Sequence, residues 1–180
     1  MNNMEIKIRK SIPDDVYGIR EVQKITWMNT YPNDKAGITL EDIKNKFKGD
    51  DTPEGRKKIE ERKERYKDKS KRTWVVEDNG EIIGFCTAGN EEGKDRILAI
   101  YVLPKYQGKR IGSRLIIKAL KWLASSKAIY TNVVEYNFNA INFYKSHGFI
   151  ETGRRGVFDN AATLPSGKTL PEIELIKSIS

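Results

Sequence analysis

The sequence predicts an α+β fold, a mixed and mostly antiparallel central sheet flanked by helices, and three observations carry that expectation. Apolar residues recur with period two in some stretches and at helical spacing in others. An Asp78-Asn79-Gly80-Glu81 turn joins two strand-like runs. An apolar helical pattern beginning at Ile111 links two further strand-like runs, 97–103 and 128–134, as a right-handed parallel crossover would. The chain has 180 residues, close to the size of one ordinary domain, and a single domain over 1–180 is expected.

In chain order, Glu5 to Arg9 alternates with Ile6 and Ile8 on one face, a first strand. Ser11, Pro13, Asp14 and Asp15 favour a helix start, followed by Val16, Ile19, Val22 and Thr26 at helical spacing as far as about Trp27 or Asn29. Thr39 and Asp42 suggest a capping box for a helix whose apolar stripe is Leu40, Ile43 and Phe47. From Thr52 to Arg72 nearly every side chain is charged, Ile59 and Tyr66 being the large apolar exceptions, and a largely solvated helix is expected. Strands follow at 73–77 and 82–86, around the Asn79-Gly80 turn, and again at 97–103 after a polar turn over 90–94. Helix from Ile111, strand 128–134, helix 140–146 stopped by Gly148, and strands 149–158 and 172–179 complete the chain. Between the last two strands lies a loop containing Pro165, Ser166 and Gly167.

Composition narrows the function classes. No apolar run approaches the roughly 18 residues of a membrane span, and the first ten residues lack a signal-peptide core, so the expected address is the cytoplasm, with no membrane partner. One cysteine, Cys86, and one histidine, His147, rule out an internal disulfide and a Cys/His zinc cluster. Cys86 reads as strand packing and His147 as a structural residue of a helix end. The net charge is +8, and residues 54–72 hold about ten basic against about five acidic side chains. That concentration allows a rival reading, a regulator binding nucleic acid through a basic 56–72 helix, although no aromatic interleaving accompanies it and a nucleic-acid partner is not the expectation.

The turn Gln107-Gly108-Lys109-Arg110-Ile111-Gly112 places backbone N–H groups and two cations where a helix begins, a setting that attracts phosphate. It does not match a P-loop, because Ser113 and Arg114 follow Gly112, nor a Gly-x-Gly-x-x-Gly dinucleotide turn. It resembles the Gln/Arg-x-x-Gly-x-Gly/Ala turn of the GCN5-related N-acetyltransferases (GNAT), with Arg110 standing where the pattern has its first glycine. Asn137-Phe138-Asn139-Ala140-Ile141-Asn142-Phe143-Tyr144-Lys145-Ser146-His147-Gly148-Phe149 resembles the same family's Asn-x-x-Ala-x-x-Phe-Tyr-x-x-x-Gly-Phe, in wording shared with its PaiA-type members.

The resemblance implies an acetyl-CoA-dependent N-acetyltransferase, with acetyl-CoA as cosubstrate and no metal. It implies that Tyr101, Val102 and Leu103 meet pantetheine, that Gln107, Gly108, Lys109, Arg110, Ile111, Gly112 and Ser113 hold the pyrophosphate, and that Asn137 contacts CoA farther along. Tyr144 then stands where a phenol protonates the departing thiolate. Trp27, Asn29 and Tyr31 match the region that shapes the acceptor pocket. The acceptor is an amine, either a small molecule such as a polyamine or a protein amine; a homodimer and a monomer both fit. The family's glutamate base has no counterpart, since Asn132 occupies one base position and Arg96, beside Asp95, another. Glu135 is the nearest carboxylate, a water chain the alternative, and Glu135, Glu172 and Glu174 are the acids that could line a polyamine pocket.

Overall fold

The computed structural model describes residues 5–124, 127–158 and 160–179. Seven strands form one sheet: β1 (Ile6–Lys10), β2 (Lys71–Asp78), β3 (Glu81–Glu91), β4 (Lys94–Val102), β5 (Ala128–Val134), β6 (Ile150–Gly156) and β7 (Glu172–Ser178), in the order β1-β2-β3-β4-β5-β7-β6. All neighbours are antiparallel except β4 and β5. Five α-helices accompany the sheet: α1 (Val16–Thr30), α2 (Leu40–Phe47), α3 (Pro53–Glu60), α4 (Ile111–Trp122) and α5 (Phe138–Ser146). The predicted α+β architecture is therefore the one observed.

Strand alternation sorts the core. Val76, Cys86, Ile97, Val102, Ile129, Val133, Ile173 and Leu175 pack with Ile111, Leu115, Ile116 and Ala119 of α4 and with Ile141 and Tyr144 of α5. On the other face Val75 and Phe85 meet Val22 of α1, while Trp27 and Tyr31 gather Ile43 and Phe47 of α2, Val134, Leu164 and Leu170. The helices thus cover both faces of the sheet because each carries one apolar stripe.

Local chemistry explains most element ends. Thr39 and Asp42 close the anticipated capping box, Thr39 Oγ1 accepting from Asp42 N (3.0 Å) and Asp42 Oδ2 accepting from Thr39 N (2.9 Å). Asn79 and Gly80 have φ of 50° and 84°, the left-handed pair that a two-residue hairpin requires. Glu92 and Gly93 repeat this with φ of 52° and 76°, so the polar turn is a second tight hairpin and β4 begins at Lys94, three residues ahead of the expected strand.

Two expectations change. Ser11 does not cap α1; it stays with the sheet, its N and Oγ both donating to Thr73 O. Asp15 instead closes the short 3₁₀ turn Pro13–Asp15 that leads into α1, accepting from Ile12 N (2.7 Å). The charged 52–72 stretch is not one helix: α3 ends at Glu60, a 3₁₀ segment covers Glu61–Lys67, and Lys71 and Arg72 already pair with Gly89 and Ala88 in the sheet. Ile59 is the buried apolar residue of this stretch, and with no stripe beyond it nothing holds a continued helix against the core. Nor is the segment wholly solvated, since burial and the nearby Arg20 and Arg65 charges lower Arg62 to about 10.

The buried Asp15 carboxylate receives a forked pair from Arg9 Nη1 and Nη2 (2.7 and 2.8 Å). Burial acts to raise its pKa, but the Arg9 and Ile12 hydrogen bonds prevail and lower it. A depressed carboxylate stabilises the fold above its unfolded pKa near 3.9, and that contribution is lost as pH falls through the lower folded value. Asp15→Asn is expected to cost about 2 kcal/mol in urea unfolding at pH 7. The gap from wild type should narrow below about pH 4.

The decisive feature is where β4 and β5 part. Thr87 pairs with Ala99 and Ala88 with Ile97, leaving Leu98 as an extra residue on β4. Such a bulge bends its strand. Beyond it β4 no longer pairs with β5: the parallel ladder is confined to Asp95↔Ile129 and Arg96↔Tyr130, narrower than the 97–103 with 128–134 pairing anticipated.

Candidate active site

The wedge between the diverging strands opens a cleft of about 840 Å³ that passes from one face of the sheet to the other. Its first half is built by the turn into α4. A 3₁₀ turn at Pro104–Tyr106 ends β4, and Gln107 Nε2 donates to Val102 O (2.9 Å), tying the turn back to the strand. Gly108 has φ of 75° and Arg110 a left-handed φ of 59° and ψ of 13°, so Arg110 adopts the conformation that a glycine would take with less strain, at about 1 kcal/mol. The N–H groups of Ile111, Gly112 and Ser113 then lie in the first turn of a helix, where no preceding carbonyl is available to them. Gln107, Gly108, Arg110, Ile111, Gly112 and Ser113 all line the cleft. Lys109 does not; its Nζ lies 5.1 Å from the centre of the Tyr106 ring.

Along the strand, Tyr101 and Val102 line the cleft, whereas Leu103 turns to the core and its N–H donates to Ile83 O (2.9 Å). Asn137 lines the opposite wall and also caps α5, Oδ1 accepting from Ala140 N (3.2 Å). Tyr144 is buried, with its ring edge-on to Phe143 and Phe149. Burial pushes its phenol up, while hydrogen bonding with Thr131 acts the other way. Thr131 Oγ1 in turn donates to Ile97 O (3.0 Å), so the Tyr144 hydroxyl sits where β4 and β5 separate. The phenol stays protonated at neutral pH, and Tyr144 lines the cleft.

The second half faces α1. Tyr31 and Tyr101 join hydroxyls at 3.2 Å, and burial raises the Tyr31 phenol, with Tyr101, Tyr144 and Glu172 adding to the effect. Trp27 lines the cleft beside Tyr31, and its buried Nε1 has no hydrogen-bond partner among the described residues. Asn29 is not brought here: it is exposed and its Nδ2 bonds back to Ile25 O (2.7 Å). The loop after β6 seals this side. Lys168 reaches Asp42 Oδ2 (2.7 Å) and Gly37 O (2.8 Å), and Ala162, Leu164 and Leu170 pack on the Trp27 cluster.

Arg96 and Asn132, the two positions where a base was missing, bond to each other: Arg96 Nη1 donates to Asn132 Oδ1 (3.2 Å) and Nη2 to Glu174 Oε1 (3.1 Å). Lys94 and Arg154 also reach the buried Glu174, whose charge is spent within this network. Glu135 pairs outside the cleft with Arg155 (3.4 Å). Of the three acids that the sequence offered as pocket lining, Glu172 and Glu174 both lie on the cleft wall. Cys86 is fully buried, and burial raises its thiol, so it is not available as a thiolate nucleophile. His147 Nδ1 lies 2.8 Å from Phe143 O at the end of α5. Among the described residues no group of three or more His, Cys, Asp or Glu is placed to hold a metal ion, and no helix is long and apolar enough to cross a membrane.

Known proteins share this fold. PaiA N-acetyltransferase of Thermoplasma acidophilum, solved in complex with coenzyme A, superposes with a TM-score of 0.70 at 21% identity, covering 97% of this chain and 99% of its own. At that identity the likeness concerns the fold. Peptidyl-lysine N-acetyltransferase YjaB of Salmonella typhimurium is 36% identical over 104 residues, 57% of this chain and 63% of its own. Spermine/spermidine N(1)-acetyltransferase of Bacillus subtilis is 30% identical over 81 residues, 39% of this chain and 53% of its own. The chain thus matches less than two thirds of the length of either curated relative. The Acetyltransferase (GNAT) family model matches residues 39–149, a span that runs from the capping box of α2 through both motifs to the end of α5, and the chain belongs to that family.

Proposed function

We propose that the protein is an acetyl-CoA-dependent N-acetyltransferase that moves an acetyl group directly to a primary amine. The single observation that carries this reading is the continuity of one cleft from the amide-rich start of α4, past the protonated Tyr144 at the strand fork, to the aromatic pocket of Trp27 and Tyr31. The residues present fit the cosubstrate. Ile111, Gly112 and Ser113 would hold the pyrophosphate on backbone N–H groups, with Arg110 adding charge, and the edge of β4 freed by its bulge would receive the pantetheine amides. Acetyl-CoA supplies an activated thioester; the chain supplies position and protons. Tyr144 hands a proton to the sulfur as it leaves, and Thr131 fixes the phenol's direction.

The amine must arrive uncharged, which for a lysine-like ammonium of pKa near 10.4 costs about 4–5 kcal/mol at pH 7. A polyamine and a protein lysine are the two acceptor classes considered, and the two curated relatives carry one name of each kind. A nucleic-acid role for the basic stretch gains little from the structure, since Lys63, Lys67 and Lys71 enter local ion pairs with Asp14, Glu60, Glu64 and Glu91. The test is acetyl-CoA turnover against a panel of small amines, polyamines and lysine peptides, read by release of free CoA thiol. Transfer to at least one amine is the expected outcome, and acetyl-CoA binding without transfer to any of them would refute the proposal.

A further inference from the structure

We infer that the acceptor is an amine that also carries a carboxylate, and that Arg154, with Lys94 and Arg96 beside it, receives that carboxylate. The inference rests on the transferase reading above and narrows its acceptor. Ile97, Val133, Ile173 and Leu175 all belong to the core under α4 and α5. By strand alternation their neighbours Arg96, Asn132 and Glu174 point to the opposite face, the one on which Trp27, Tyr31 and Val134 gather. Lys94, Arg96, Asn132, Arg154 and Glu174 all line the cleft. The turn into α4 leaves from the far end of β4, so these cations are not the ones beside the pyrophosphate.

Three cations converge here on one acid. Glu174, 2% exposed, accepts from Arg96 Nη2 (3.1 Å) and from Arg154 Nη1 (3.3 Å to each oxygen), and Lys94 Nζ stands 3.5 Å away. Thr152 Oγ1 completes the set at 3.3 Å from Oε2. The carboxylate is thus fully engaged, whereas the cations share a single negative charge. Arg96 is tied down, its other Nη donating to Asn132 Oδ1. Arg154 spends only Nη1: its Nε and Nη2 bond to no described residue, and its side chain is 58% exposed. Two such parallel N–H groups are the fork by which a guanidinium grips a carboxylate. Lys94 Nζ makes no shorter contact with any described acid and lies 4.7 Å from the centre of the Tyr130 ring.

The rest of the lining carries acids as well: Glu91, held by Lys71 (3.1 Å), Glu92 in the turn before Lys94, and Glu172, which accepts from Phe158 N–H (2.9 Å). The wall therefore offers both signs, with three of its cations gathered at one point. A polyamine, positive at each nitrogen, would bring a like charge to that point, which costs affinity. An amino acid, or a lysine beside an acidic residue in a peptide, brings an ammonium and a carboxylate together and matches both signs.

Matched acceptors that differ in one carboxylate test this. L-lysine is compared with cadaverine, which is lysine without its carboxylate, and acetyl-Glu-Lys amide with acetyl-Gln-Lys amide. In the wild type, kcat/KM is expected to be at least about tenfold higher for the carboxylate-bearing member of one pair, and the pair that responds tells a free amino acid from a peptide. Calorimetric titration onto the CoA-loaded protein should show the same preference in binding, and about 0.5 M sodium chloride should shrink it. Arg154→Gln, joined with Lys94→Gln in a double variant, should cut the preference about tenfold through a rise in KM for the favoured member. Arg154→Lys, which keeps the charge without the fork, should restore part of it. Should the double variant fail to fold, the wild type decides alone: equal rates within both pairs overturn the inference. A preference for cadaverine or spermidine over every carboxylate-bearing probe overturns it too, as does a preference that survives the double variant undiminished; in each case the transferase reading stands. A wild type that binds acetyl-CoA but acetylates no probe, nor any amine of the panel, overturns the inference together with that reading.

Discussion

Tyr144→Phe is expected to lower kcat by on the order of 10²-fold while leaving acetyl-CoA affinity within about twofold. The substitution removes one hydroxyl and keeps the ring, so the edge-on packing with Phe143 and Phe149 survives. Loss of the bond with Thr131 should cost about 1 kcal/mol of stability, because Thr131 retains its own bond to Ile97 O. The phenol's raised pKa gives the effect its signature. The donor is protonated throughout the physiological range, so Tyr144→Phe should scale the rate at every pH below about 9 without moving the acid limb. Single-turnover kinetics beside calorimetric titration of acetyl-CoA would check this. Unchanged turnover would remove Tyr144 from the proton path and leave the fold and the cleft as described.

Gly112→Val should act on the other end of the cleft, weakening acetyl-CoA binding at least tenfold. The backbone of Gly112 is ordinary helix, so conformational freedom is not the reason for glycine there. Space is: a Cβ at this position would lie 3.3 Å from Phe143 Cε2, already tight, and the two further methyls of valine must displace that ring or swing over the amides of the first turn. Because Phe143 adjoins Tyr144, the same variant should lose rate beyond its loss of affinity. Gly112→Ala, one methyl only, should fall between the two. Titration calorimetry and kcat at saturating acetyl-CoA separate the effects, and a valine variant with wild-type affinity would mean that the cosubstrate does not pass over this turn.

What could be read in the chain before its structure followed locality. The Asn79-Gly80 hairpin, the Thr39 capping box and the stripe of α4 are decided by residues three or four apart, and all are present. The half of the cleft at the start of α4 is one contiguous phrase and could be read from its own residues. The other half draws on Trp27, Tyr31, Tyr101, Val134, Leu170 and Glu172, which nothing in their spacing connects. The alternation Glu172-Ile173-Glu174-Leu175 did announce a polar face on the last strand, and ordinarily such a face meets water. Here Phe158 bonds to Glu172 and residues 160–170 pack nearby, and with no helical or strand period in that segment its docking on α2 left no trace in the sequence. The bulge at Leu98 was equally hidden, since one extra residue in a run of β-branched and aliphatic side chains changes no composition.

That one residue decides what kind of object the sheet is. A strand with even register at Leu98 would keep Ala99 to Val102 in step with β5, and seven strands would close into an uninterrupted wall with helices on each side. Counting one residue more, the wall acquires a window, and the two helix layers that otherwise never meet look at each other through it. Everything assigned to the cleft depends on that view: a proton donor hung from one layer, an amine pocket cut in the other. Chemistry in this chain is a matter of arithmetic in the backbone first and of side chains second.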